Sequence, residues 1–100
     1  MNFKNKIVLI TGGASGFGFE LVKLFLSDGA KVIFTTREEN SAQKAKNSIP
    51  ENFHENLSHY IADLSKKTEI DNLIALLDKD FPNGIDVLVN NATSITVGRF

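Results

Sequence analysis

The sequence has no cysteine and no tryptophan, and only two prolines, one methionine and one tyrosine among 100 residues. Without cysteine, disulfides, thiolate nucleophiles and thiolate metal sites are excluded. An excess of one charge is missing too. Eleven Lys and Arg face 12 Asp and Glu, a formal net charge of −1, so the electrostatic footprint of a nucleic-acid binder is absent. No apolar run approaches the ~20 residues of a membrane span. "MNFKNKIVLI" shows no small-residue cleavage site and passes directly into glycine, which does not fit a secretory leader. A cytoplasmic chain without nucleic-acid or membrane partners is expected. With 42% hydrophobic and 23% charged residues, the composition is that of an ordinary folded domain. One domain over residues 1–100 is expected, small for an enzyme that must hold both a cofactor and a substrate, which points to part of something larger.

What is present is an alternation of apolar runs with helical periods. "KIVLIT" (6–11) reads as a strand buried on both faces, the kind found in parallel sheets. From Gly16 the period changes: Phe17, Leu21, Leu24 and Phe25 fall on one helical face, and Gly29 supplies a stop. "AKVIFTT" (30–36) reads as a second strand, and 37–49 as a charged surface helix with little apolar face. A polar connector, "PENFHENLSH", follows, in which His54 and His59 read as solvated residues. "YIAD" (60–63) ends a third strand; Ser65 caps a helix carrying Ile70, Leu73, Ile74, Leu77 and Phe81 at i, i+3, i+4, i+7 spacing. "IDVLVNNA" (85–92) reads as a fourth strand, followed by "TSITVGRF" without a recognisable closing element. The order βαβαβαβ predicts a Rossmann-type α/β fold: an open parallel sheet of order 3-2-1-4 with helices on both faces, truncated after the fourth strand.

"TGGASGFG" (11–18) places four glycines in eight positions between the first strand and the first helix. Gly12, Gly16 and Gly18 give the spacing GxxxGxG, with Gly13 in addition. Such a turn frees backbone N–H groups at a helix N-terminus, where the dipole favours an anion, and so suits a pyrophosphate. Glycine in any strand-to-helix turn is the competing explanation, and the coincidence of strand, loop and helix weighs against it. A P-loop would need Lys and Ser or Thr after the last glycine, where this chain has Phe19 and Glu20. The GxGxxG fingerprint is not matched either.

TGxxxGxG after the first strand, Asp63-Leu64 ending the third and Asn90-Asn91-Ala92 ending the fourth together resemble the short-chain dehydrogenase/reductase family, over the whole chain and in order. The resemblance implies an oxidoreductase that moves a hydride between a nicotinamide and a carbonyl or alcohol. It implies that Gly12, Ser15, Gly16, Phe17 and Gly18 surround the pyrophosphate and adjoining ribose. Asp63 and Leu64 would meet the adenine, and Asn90, Asn91 and Ala92 would lie beside the ribose while tying strand four to the loop. Read alone, Asp63 before Ser65 equally fits a helix start, and two asparagines at a strand end equally fit a turn. Thr93 stands where the family usually has glycine.

The family's Tyr-xxx-Lys pair is not found here: the single tyrosine, Tyr60, has Leu64 at the fourth position after it. The amino-terminal, cofactor-binding half of such an enzyme is therefore expected, catalytically inert by itself, with substrate and a homo-oligomeric assembly belonging to the intact parent. A non-catalytic NAD(P)-binding or interaction module is the alternative. For the cofactor, NADP(H) is expected over NAD(H). Thr36 occupies the position where NAD-preferring relatives tend to carry Asp, and Arg37 follows it, within reach of a 2′-phosphate. A solvated Arg37 at a helix start is the plainer alternative.

Overall fold

Residues 2–91 of the chain are described by a computed structural model. They run β1 (Ile7–Thr11), α1 (Gly16–Ser27), β2 (Lys31–Thr36), α2 (Glu39–Asn47), a 3-10 helix (Glu51–Asn56), β3 (Leu57–Ile61), α3 (Lys67–Asp80) and β4 (Val87–Asn90). The four strands form one parallel sheet of order β3-β2-β1-β4, the Rossmann-type order expected. The chain moves outward from β1 to β3 and then crosses back to β4, so the strand order reverses at β1. Right-handed crossovers accordingly place α1 and α2 on one face and α3 on the other.

This two-sided cover explains the unbroken apolar reading of β1 and β2. Val8 and Ile10 point to the α1 and α2 side, where they meet Val22, Leu26, Val32, Phe34, Ala42 and Ala45. Leu9 points the opposite way, to Ile33, Leu64, Leu73 and Leu77. Val8–Ile10 and Val32–Phe34 are apolar at every position because both faces of the sheet are dry there. β4 alternates instead, with Leu88 40% exposed, and β3 is buried only at Leu57.

Several local expectations are corrected. In α1 the buried stripe is Gly18, Val22 and Leu26, while Phe17 is 71% and Leu24 65% exposed. The helix carries two apolar stripes, and the one that includes glycine wins because it allows the closest approach to the sheet. α2 does have an apolar face, made of the buried Ala42 and Ala45 and continued by Ile49. The polar connector is itself structured: residues 51–56 form the 3-10 helix and 57–61 the third strand, so β3 ends at Ile61, before Asp63. Neither histidine is simply solvated. His54 Nε2 bonds the carbonyls of Lys46 (3.0 Å) and Ile49 (2.9 Å) at the end of α2. His59 stacks on Phe34 with ring centroids 5.7 Å apart. Ser65 does not cap α3, whose N-cap is Lys66; its hydroxyl donates to Asp63 Oδ1 at 2.6 Å.

α3 is held to the sheet by Leu73 and Leu77, so Leu73→Ala is expected to cost roughly 2–5 kcal/mol of unfolding free energy. Leu76, 44% exposed, should tolerate alanine within about 0.5 kcal/mol. Urea unfolding of both variants checks the orientation of α3; similar losses would contradict it.

Candidate functional site

The carboxyl ends of β1, β2 and β4 meet at the glycine turn, where three polar side chains set its geometry. Thr11 is fully buried; its Oγ1 accepts the Asn91 N–H (2.8 Å) and donates to Asn90 Oδ1 (3.1 Å). Thr35, 1% exposed, accepts the Gly12 N–H on its Oγ1 at 3.2 Å, and its carbonyl accepts the Gly13 N–H at 3.1 Å. Asn91 Nδ2 donates to the Gly12 carbonyl at 3.2 Å. The turn is thereby pinned to a strand on either side of β1.

Each glycine of the turn has its own physical reason. Gly12 (φ 68°) and Gly16 (φ 59°) occupy the left-handed region that disfavours side chains. A Cβ on Gly18 would collide with Asn91 Nδ2 and the Gly12 carbonyl, and one on Gly13 would lie 2.6 Å from Phe34 Cβ. At Gly16 a Cβ would meet no protein atom within 4 Å, so the space beside it is open.

That space belongs to a cavity of about 440 Å³, walled by the glycine turn, the end of β2 with the start of α2, and the segment after β3. Of the residues singled out in the sequence, Gly12, Ser15, Gly16, Phe17, Arg37, Leu64 and Asn91 line it. Gly18 lies behind the turn, against Asn91. Asn90 is engaged by Thr11. Ala92 and Thr93 lie outside the described residues. Asp63 is not a lining residue; its Oδ1 accepts both the N–H (3.0 Å) and the hydroxyl (2.6 Å) of Ser65. Those two bonds, the hydroxyl first, hold its carboxyl below the ordinary aspartate range, with Lys66 and Arg37 adding to the effect.

α1 starts with no side-chain cap and no acidic residue in its first turn. Its first N–H groups have no intrahelical acceptor, and the helix dipole adds positive potential beside Ser15, Gly16 and Phe17. A cradle that side chains would fill, an uncapped helix start and an adjoining cavity together fit a phosphate-bearing ligand. Among the described residues no cluster of side chains suits a metal ion. Six lining residues, Ala14, Thr35, Thr36, Glu38, Ser41 and Ala62, were not among the sequence's site candidates, and Thr35 also holds the turn through Gly12. Only Thr36 carried a signal, through its position at the end of β2.

Residues 6–100 match the family model described as short chain dehydrogenase. The chain belongs to the short-chain dehydrogenase family. It is 38% identical over 88 residues to an NADP-dependent 3-hydroxy acid dehydrogenase of Escherichia coli, covering 86% of this chain and 33% of that one. Among solved structures, the L-sorbose reductase of Gluconobacter frateurii in complex with NADPH and L-sorbose superimposes with a TM-score of 0.81 at 28% identity, covering 92% of this chain and 35% of the reductase. The 3-ketoacyl-(acyl-carrier-protein) reductase of Brucella melitensis with NADH gives 0.76 at 33% identity, covering 91% of this chain and 35% of that one. The chain spans about a third of the length of the curated relatives it matches. The family's Rossmann-type fold is the one described above.

Two outcomes test the site as built. Gly18→Ala should lower thermal stability and loosen the turn, because the new methyl displaces Asn91 from Gly12; ¹⁵N chemical shifts of Gly12 and Asn91 report it, and unchanged shifts would contradict the packing. Ser65→Ala should raise the Asp63 titration midpoint in carboxyl-detected NMR. Because the folded value is depressed, the stability Asp63 contributes is present above its unfolded value and lost as pH falls through the folded one.

Proposed function

We propose that this chain is the dinucleotide-binding half of an oxidoreductase, with Gly12, Ser15, Gly16, Phe17 and Gly18 around the pyrophosphate and ribose, and that it prefers NADP(H) to NAD(H). The observation that carries the reading is the uncapped start of α1 opening on the cavity of about 440 Å³, with Arg37 on the opposite wall. When bound, the reduced nicotinamide would give a hydride to a carbonyl, and the oxidised form would take one from an alcohol. The residues of this chain bind and orient: the N–H groups of the turn take the phosphates, Leu64 and Asp63 take the adenine side, and Asn90, Asn91 and Ala92 take the ribose side.

The cofactor preference follows from the end of β2. An acidic side chain there would accept from the ribose hydroxyls and repel a 2′-phosphate. Thr36 lines the cavity in its place, Arg37 follows, and among the described residues Arg37 forms no salt bridge. The Escherichia coli relative is NADP-dependent and the sorbose reductase carries NADPH, which agrees; the Brucella reductase carries NADH, so the family admits both.

The chain by itself is catalytically silent in this reading. Tyr60, its single tyrosine, donates its hydroxyl to Asp80 at 2.6 Å, and burial together with that carboxylate pushes the phenol above its ordinary range. A phenol held protonated in this way ties β3 to α3 and is unsuited to proton transfer at the cavity. Substrate and homo-oligomeric contacts are assigned to the longer enzyme, and a cytoplasmic location to both.

Calorimetric titration with NADPH and NADH tests the preference. Arg37→Ala should weaken NADPH roughly tenfold or more while leaving NADH nearly unchanged, since a charge-assisted hydrogen bond is worth about 1.5–3 kcal/mol. Thr36→Asp should move the ratio the same way by repulsion. A wild type that favours NADH, or a ratio that neither substitution moves, overturns the reading.

A further inference from the structure

Arg37 is followed directly by two carboxylates, Glu38 and Glu39, and Glu39 is the first residue of α2. A carboxylate two residues away competes with an incoming phosphate for the same guanidinium donors. In the structure Glu39 does not compete, because its acceptors are taken by Gln43 and His59. Gln43 Nε2 donates to Glu39 Oε2 at 2.7 Å, and His59 Nε2 bonds Oε2 at 3.1 Å and Oε1 at 3.4 Å. The imidazole is itself immobilised: His59 pairs with Phe34 in the parallel register of β2 and β3, and stacks on that buried ring with an interplanar angle of 29°. Glu39 is absent from the cavity wall, which Arg37, Glu38 and Ser41 form.

We propose that His59 is a positioning residue for cofactor selection: from β3, with Gln43, it holds the Glu39 carboxylate against the sheet and so keeps the Arg37 guanidinium available to a 2′-phosphate in the cavity. The inference rests on the reading above that the adenosine 2′ position lies at Arg37. Removing the imidazole leaves Glu39 with Gln43 alone, on a helix turn from which it can swing to Arg37. The gain of a competing ion pair at an exposed site corresponds to a roughly three- to fivefold loss for the phosphate. Among the described residues no salt bridge tethers Glu38, so its charge is a constant background in every variant.

The test uses the adenosine halves of the two cofactors, 2′,5′-ADP and 5′-AMP, titrated calorimetrically into this chain, with thermal unfolding measured alongside. His59→Ala should weaken 2′,5′-ADP roughly three- to fivefold and leave 5′-AMP within about twofold. His59→Gln, which keeps a side-chain donor on β3, should recover part of the loss. Adding Glu39→Gln to His59→Ala should restore the wild-type ratio, because the competing charge is gone although the tether is still missing. Glu39→Gln alone should keep the ratio or raise it. Equal weakening of both ligands by His59→Ala, or no restoration in the double variant, makes the contact merely structural and overturns the inference. A wild type that binds 5′-AMP without preferring 2′,5′-ADP overturns the cofactor reading beneath it; a wild-type preference that His59→Ala leaves intact overturns this inference alone.

Discussion

The glycine turn is held by buried hydroxyls on neighbouring strands, and the rest of the site depends on that constraint. Thr11 and Thr35 lie where the strands end, in surroundings dry enough that an unpaired polar group would cost about 1–3 kcal/mol. Both satisfy themselves on the backbone of the turn and of the segment after β4. The turn therefore cannot relax onto its own N–H groups, and the start of α1 stays open toward the cavity. A flexible glycine-rich loop would lose that orientation and pay an ordering cost on every binding event.

The same constraint explains the division of labour among the glycines. Gly12 and Gly16 are required by backbone conformation, Gly13 and Gly18 by neighbours that approach too closely for a methyl group. Gly16 combines a left-handed conformation with open space beside it, so its missing side chain leaves room for a ligand as well as satisfying the backbone.

Legibility in the sequence followed the strength of the physical signal. β1 and β2 were readable because two dry faces force uninterrupted apolar runs, and the strand order follows from the βα alternation with the handedness rule. β3 was not placed correctly, since "LSHYI" is half polar and its histidine is partly covered by stacking on Phe34, a contact between strands that no local pattern encodes. The burial of α1 was misjudged for a related reason: counting apolar residues favours the stripe with Phe17 and Leu24, whereas close approach favours the stripe with Gly18. At the site, the turn and its flanking asparagines were visible as motifs. Thr35 and Ser41 were not, because a threonine in a strand and a serine in a helix look the same whether they face a cavity, a backbone amide or solvent.

The register of β1 has a consequence for how this architecture tolerates changes in length. β1 is paired on both sides at once, with Ile10 opposite Phe34 and Val89, and Thr11 opposite Asn90. Removing one residue from "KIVLIT" would exchange its two faces, bring an apolar side chain to the turn and withdraw Thr11 from both partners. At the opposite end of the sheet the links include the 3-10 segment at residues 51–56 and the turn at 82–85, neither of which lines the cavity. Extra residues at those links would shift no strand against another. The molecule thus has one end whose length is rigidly specified and one that is free to drift, so new loops have room to appear on the side away from the cavity.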